Sequence, residues 1–337
     1  ALPRYKPCGG GVPLKVLKSF SFDTQSIIED FISNITFAYQ HEHINIPVKP
    51  ETLAMTMRNK LDLLIIENSK AEILENTKIN SLTQDNQKVV ISTDKGLKLQ
   101  GKYLIAADGA NSKIAQILGL GTNRQMGVAL ELEAEVRKKT LDDYRSRMLI
   151  GTGNLPWGYY WIFPKADHLS IGIGSFKQKI RGILNLFKKN LRDLEINFSD
   201  QQIKAHPLPY FNGRQTLAKN RVLLCGDAAR LVDPLTGEGI QYAIRSGKIA
   251  AEVIANQDIA TYNQQIEEKI TNNFKWAKLL AYIMYNYTPA CFHYLIRNND
   301  FISDLFQIFT RNQEYKYVLA KLPMYFTFSG KRIELNK

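Results

Sequence analysis

Cysteine is scarce in this chain of 337 residues: Cys8, Cys225 and Cys291 are the full set, an odd number with neither a metal-ligand spacing nor a disulfide framework. That scarcity fits a reducing compartment and leads to the expectation of a cytoplasmic protein without bound metal. No run of 18 apolar residues occurs; the longest candidate, 279–296, is interrupted by Asn286, Thr288, Pro289 and His293, which excludes a membrane-spanning helix there. The start lacks the charged-then-apolar pattern of a secretory signal. Residue 1 is Ala rather than Met, so the chain is expected to begin inside something longer or to be processed. Internal repeats and low-complexity linkers are absent. The dinucleotide turn Gly-x-Gly-x-x-Gly is missing as well: Gly151, Gly172 and Gly237 each start a Gly-x-Gly pair without the third glycine. Acidic residues are the minority, 32 against 44 basic ones, and the net charge of +12 favours anionic partners such as phosphorylated cofactors, an acidic protein donor or anionic lipid head groups. Nucleic acid ranks last, since no recognition module accompanies the charge.

The length suffices for two domains, and 45% hydrophobic with 23% charged residues is ordinary for a globular protein. Much of the positive excess is terminal: from 269 to 337 ten Lys and Arg face four Asp and Glu, interleaved with Trp276, Tyr282, Tyr285, Tyr287, Phe292 and Tyr294. That pattern reads either as a solvated helical face over an aromatic core or as an interfacial membrane surface.

The most informative stretch is 221–240. An apolar strand, 221–225, ends at Gly226, which lets the backbone pass close to a ligand, and at Asp227, whose carboxylate accepts hydrogen bonds from ribose hydroxyls. Gly237 and Gly239 then clear side chains from the start of a helix over 240–255, whose free N–H groups favour an anion or a polarised carbonyl. A second unit of this kind ends at Asp108-Gly109, with Ser112 predicted to cap a short helix that runs to Leu118 and stops at Gly119. Between them, 126–136, 159–163 and 169–175 read as strands of an inserted sheet layer. Upstream, helical spacing of Leu53, Met57, Leu61, Leu64 and Ile65 predicts one helix over 52–71, a strand follows over 71–79, and 88–93 with 97–107 form a hairpin around Asp94-Lys95-Gly96. After 255 the pattern is helical to about residue 320.

Two strand-ending motifs in this order, with a β-rich insertion between them, resemble the flavoprotein monooxygenase class typified by para-hydroxybenzoate hydroxylase. Five features bring the chain closer to the geranylgeranyl reductase family. They are Lys6-Pro7-Cys8-Gly9-Gly10-Gly11, the helix carrying Arg58 and Asp62, the segment from Ala107 to Ser112, Tyr159-x-Trp161-x-Phe163-Pro164-Lys165, and Gly226-Asp227 continuing through Pro234, Gly237, Gly239 and Ile240. The resemblance extends over essentially the whole chain. It implies an α/β fold of the FAD-binding para-hydroxybenzoate hydroxylase-like type, truncated at its N-terminal unit, with an inserted antiparallel sheet and a helical C-terminal region. The implied division is an FAD-binding domain of 1–12, 50–125 and 207–256, a substrate-binding sheet domain of 13–49 and 126–206, and a helical region of 257–337.

By the same resemblance, the activity is reduction of isoprenoid double bonds by hydride transfer from reduced FAD, with NADPH or an acidic ferredoxin-like protein as electron donor and a prenyl lipid as substrate, met at a membrane surface. Asp227 would bind the ribose or ribityl side, Pro234, Gly237, Gly239 and Ile240 would line the isoalloxazine, and Gly226 would carry the turn. Arg58 would sit near the flavin tail, and Asp108 with Gly109 near the pyrophosphate. Cys8 would lie by the ring as the catalytic group, and Tyr159, Trp161 and Phe163 would wall the isoprenoid pocket. Beside these roles stand plainer ones: Arg58 and Asp62 as an ordinary helix pair, Cys8 as a packing residue, and the three alternating aromatics as core. The family pattern opens with a strand, glycine turn and helix holding the ADP half of FAD. Roughly 35 to 40 residues of that pattern, the size of such a βαβ opening, have no counterpart here, and weak or no FAD retention is expected. The alternatives are a monooxygenase or halogenase of the same superfamily, and an inactive, lipid-binding remnant.

Overall fold

The computed structural model describes residues 2–50, 52–121, 125–311 and 313–326. They divide into two compact units, one of 72–126 and 208–279, the other of 2–71, 127–207 and 280 onward.

In the first unit, strand Leu104–Ala106 pairs in parallel with Val222–Leu224, and Ala218–Lys219 adds an antiparallel edge. Val222, Leu223 and Leu224 are all fully buried, as a continuous apolar run must be when both faces of a strand are covered. Helix Ile240–Ala255 covers the strand through Tyr242, Ser246, Ile249, Ala250 and Val253, the stripe that a period of 3.6 places on one side. The buried Tyr262 then anchors the following helix, its hydroxyl donating to Leu224 O at 2.6 Å. Strands Ile79–Gln84, Val89–Thr93 and Lys98–Gly101 form a separate meander whose second turn has Gly96 at φ +76°.

The short helix Lys113–Leu118 follows the sequence closely. Ser112 Oγ accepts from Ala115 N at 2.9 Å, and Gly119 closes the helix at φ +67°. Ser112→Ala therefore removes a cap and should lower the unfolding free energy by about 1 kcal/mol, read as a lower urea midpoint at unchanged slope.

The second unit is built on a seven-stranded sheet in the order Lys204–Leu208, Gly127–Ala134, Leu169–Ser175, Gly158–Pro164, Arg147–Thr152, Asn34–Tyr39, Glu42–Pro47. Arg147–Thr152 runs parallel to Asn34–Tyr39, so the inserted sheet is mixed rather than antiparallel throughout. Its register fixes two faces. Leu132, Ile171, Ile162 and Leu149 align across one face and pack with Phe187 and Leu191 of helix Ile183–Asp193 and Leu141 of helix Lys138–Tyr144. The other face carries Glu131 and Glu133, then Ser170 and Gly172, then Tyr159, Trp161 and Phe163, and finally Met148, Ile150, Ile35 and Phe37.

Three expected elements fail. The stretch 97–107 is not one strand: Lys98–Gly101 pairs with Val89–Thr93, whereas Leu104–Ala106 belongs to the sheet of Val222–Leu224. The stretch 52–71 is not one helix: Leu53–Thr56 is the central strand of a three-stranded sheet between Gly11–Pro13 and Ile28–Phe31, and the helix spans only Arg58–Glu67. Hydrogen bonding on both sides of Leu53–Thr56, from segments far away in sequence, outweighs the local helical spacing. The stretch 71–79 forms no strand before Ile79, and Ile73 and Leu74 stay exposed because no ladder partner reaches them. Beyond 255 the chain is mostly helical as far as 326, ending in Asn299–Arg311, Tyr315–Ala320 and Leu322–Phe326. No described helix is long and apolar enough to cross a membrane.

Candidate functional site

Parallel pairing brings the two motif turns together. Leu224 is in register with Ala106, so Asp108-Gly109 and Gly226-Asp227 leave neighbouring strands at the same, carboxyl, end, the edge where α/β sheets bind ligands. Gly226 lies at φ +55°, and a Cβ there would stand 3.0 Å from Ala243 Cβ, so only glycine lets helix Ile240–Ala255 press onto the turn. Ser246 Oγ fixes the turn by accepting from Gly226 N at 3.0 Å. Residues 222–235 are buried except for Asp227, which is partly open.

The following loop is shaped by a residue the motif reading passed over. Asp233, fully buried, accepts from Leu235 N at 2.8 Å and Thr236 N at 3.0 Å, while its own carbonyl receives Gly237 N at 2.9 Å. This holds Pro234 buried, Gly237 at φ +73° and Gly239 at the head of the helix, where no side chain caps the first turn. A Cβ on Gly239 would lie 3.5 Å from Asp227 Oδ1, so the glycine keeps side-chain bulk away from that carboxylate. A partly exposed carboxylate at Asp227, a side-chain-free approach and amides at Ile240 without a side-chain cap fit the hydroxyl and phosphate groups of FAD. Asp108 is differently employed. It accepts from Ser112 Oγ at 2.6 Å and from Ile114 N at 3.2 Å, which makes it part of the helix cap, while Gly109 at φ +85° has open space where a side chain would be.

Arg58 and Cys8 belong to the second unit. Arg58 forks onto Asp62 one turn along its helix, with Nη2 at 2.9 and 3.0 Å from the two carboxylate oxygens, and Arg4 adds a contact to the same carboxylate at 3.0 Å. Both partners of the Arg58 pair are largely buried, so it is more than a solvated surface pair. Cys8 opens the glycine loop, and its N–H donates to Glu131 Oε2 at 2.7 Å. Gly10 sits at φ +72° with a missing Cβ that would fall 1.9 Å from Thr56 O, which makes glycine obligatory.

Tyr159, Trp161 and Phe163 share one strand face, with ring centroids 6.1 and 6.3 Å apart in a row. Gly172 and Gly174 lie opposite Trp161 and Tyr159 on the neighbouring strand, and a Cβ on Gly172 would strike the Trp161 ring at 2.0 Å. The indole thus lies flat on Gly172. Its Nε1 is buried and lacks a hydrogen-bond partner, and it faces Gly9, where a Cβ would come within 3.1 Å. Phe163 packs under the same glycine and also joins the core with Met148 and Ile150. The aromatics are wall and core at once.

Behind the glycine loop lies a charge cluster that the sequence hid. Lys165 is fully buried, with Nζ donating to Gly9 O at 2.7 Å and Thr56 O at 3.1 Å. Burial lowers its pKa, opposed by Glu133, Cys8, Glu131 and Glu29. Glu131, 1% exposed, also accepts from Ser170 Oγ at 2.8 Å. Burial, reinforced by Glu133, pushes its carboxyl up to about 7. His168 bridges Glu133 at 2.9 Å and Asp167 at 2.6 Å; burial acts to lower its pKa, but the two carboxylates prevail and raise it.

A carboxyl raised in the folded state contributes stability that is complete below the unfolded value and lost as pH rises through about 7. Raising the pH from about 5 to about 8 should therefore cost the wild type about 2–3 kcal/mol through this group, and Glu131→Gln should lack that component in urea titrations at the two pH values.

The fold is of the FAD-binding, para-hydroxybenzoate hydroxylase-like type. A family described as FAD binding domain matches residues 22–165. The structure superposes on a geranylgeranyl bacteriochlorophyll reductase-like protein of Thermoplasma acidophilum with a TM-score of 0.71, covering 94% of this chain and 89% of that one at 19% identity. In sequence the chain is similar to geranylgeranyl reductases: it is 29% identical over 290 residues to geranylgeranyl diphosphate reductase of Synechocystis, spanning 78% of this chain and 68% of that one. It is also 28% identical over 303 residues to an uncharacterized protein of Methanosarcina barkeri, spanning 87% and 78%.

Proposed function

We propose that this chain reduces carbon–carbon double bonds of prenyl chains with FAD as its redox cofactor. The observation that carries this reading is the aromatic row Tyr159, Trp161 and Phe163 laid against Gly172 and the Gly9–Gly11 loop: an extended apolar wall suits a substrate with almost nothing to hydrogen-bond. When bound, reduced FAD supplies the hydride and with it both electrons. Asp227 would hold ribose or ribityl hydroxyls. Gly226, Pro234, Gly237, Gly239 and Ile240 would give the ring a close, side-chain-poor approach, with amides that favour negative charge. Gly109 would admit the pyrophosphate region beside Asp108, and Arg58 would sit near the flavin tail. Cys8 stands by the ring in this reading.

Electrons would arrive from NADPH or from an acidic ferredoxin-like protein, for which the charge of +12 provides attraction. Exposed Trp276, Leu279 and Tyr282, with Lys275 and Lys278 among them in sequence, suit contact with a membrane surface that holds the substrate. Lys331, Arg332 and Lys337, counted in the terminal charge, lie outside the described residues.

Anaerobic incubation with added FAD, a chemical reductant and geranylgeranyl substrates tests the reading by product mass. Gain of two hydrogens per double bond is expected. A product that forms only with oxygen, carrying a hydroxyl or a halogen, would place the chain among the monooxygenases or halogenases instead.

A further inference from the structure

Reduction of a double bond needs a proton as well as a hydride, and the second unit holds a carboxyl group in a position to keep one. Glu131 is fixed on strand Gly127–Ala134 by Ser170 Oγ at Oε1 and by Cys8 N at Oε2. Oε2 also meets the hydroxyl of Tyr5 at 3.3 Å. Tyr5 is 50% exposed while Glu131 is 1% exposed, so the phenol links a sealed carboxyl to the surface.

We infer that Tyr5 and Glu131 form the proton-delivery pair of the site, Tyr5 giving its hydroxyl proton to the substrate carbon and Glu131 replacing it from behind. This rests on the double-bond reading above. As the hydride adds to one carbon with its electron pair, the Tyr5 O–H bond breaks and a C–H bond forms at the other carbon. In the same step the Glu131 O–H bond breaks and a new Tyr5 O–H bond forms, leaving a carboxylate and a neutral phenol. Water restores Glu131 by the reverse path after the product leaves.

The charges around the pair favour this order. Glu133 on the same strand disfavours a second carboxylate, and Lys165 at the loop's carbonyls is the opposing cation, with His168 already occupied by Glu133 and Asp167. Burial and the two glutamates push the Tyr5 phenol far above its usual range, so a free phenolate is avoided and the two transfers go together. The Cys8 amide keeps the carboxyl aligned whether or not it is charged.

The test combines infrared titration of the chain without flavin and alkene reduction by the FAD-loaded chain. Wild type should show a neutral carboxyl C=O band that disappears as pH rises from about 6 to about 8. The band should be absent in Glu131→Gln and shifted in Tyr5→Phe. Both variants should slow alkene reduction roughly 100-fold or more, the magnitude expected for loss of a general acid, while FAD affinity and electron transfer to an artificial acceptor stay unchanged. The wild-type rate should fall above about pH 7, and Glu131→Gln should lose that break. An active wild type whose Glu131 stays ionised across this range, or Tyr5→Phe at full rate, overturns the pair alone. A wild type that reduces no alkene overturns the underlying reading as well.

Discussion

Replacement of Lys165 by methionine is expected to lower the unfolding free energy by about 3–5 kcal/mol, the cost of breaking a buried charge arrangement by removing one partner. Methionine preserves most of the volume, so the loss is one of electrostatics and hydrogen bonds rather than packing. Without the ammonium, Gly9 O and Thr56 O lose the donor that meets them at 2.7 and 3.1 Å. Glu131 and Glu133 also lose the cation that offsets their mutual repulsion. The glycine loop depends on the same atoms, since Gly10 O receives Thr56 N at 2.8 Å. Urea unfolding of the variant at neutral pH measures this, and a change under about 1 kcal/mol would show that the amine is dispensable.

Asp227→Ala should weaken FAD binding by about 10- to 100-fold, the equivalent of about 1.5–3 kcal/mol for hydrogen bonds to a charged group. Asp227 is the one partly exposed residue between 222 and 235, and a side chain on Gly239 would start 3.5 Å from its Oδ1. Gly239→Val should reproduce the weakening by covering Asp227 without removing it. Asp108→Ala should behave differently: its oxygens serve Ser112 and Ile114, so the loss should appear chiefly as stability. Flavin fluorescence titrations of the three variants, set beside their urea midpoints, separate these outcomes, and FAD affinity unchanged in Asp227→Ala would remove that residue from the site.

What the sequence made legible was local. The strand and turn at Gly226, the helix Ile240–Ala255 and the Ser112 cap each rest on signals a few residues apart. The strand character of Leu53–Thr56 comes from partners at Gly11–Pro13 and Ile28–Phe31, whereas its own apolar spacing is that of a helix. Glu131 and Glu133 alternate with Leu130 and Leu132, a pattern that reads as one wet and one dry face. In fact both faces are covered near Glu131, one by the apolar core and the other by the Cys8 loop, which is far away in sequence. Lys165 was visible as the end of the aromatic motif, but nothing local indicates that its amine turns inward to two backbone carbonyls. Asp233 carries an Asp-Pro turn signal that would have marked its role in holding the loop to Gly237.

The most direct test of the central claim is reoxidation of the reduced, FAD-loaded chain in the absence of oxygen. On mixing with a geranylgeranyl substrate, the flavin absorbance should return at a rate that depends on substrate concentration, with a saturated bond formed for each flavin oxidised. Flavin that stays reduced with every prenyl substrate and reoxidises only when oxygen is admitted would contradict the account.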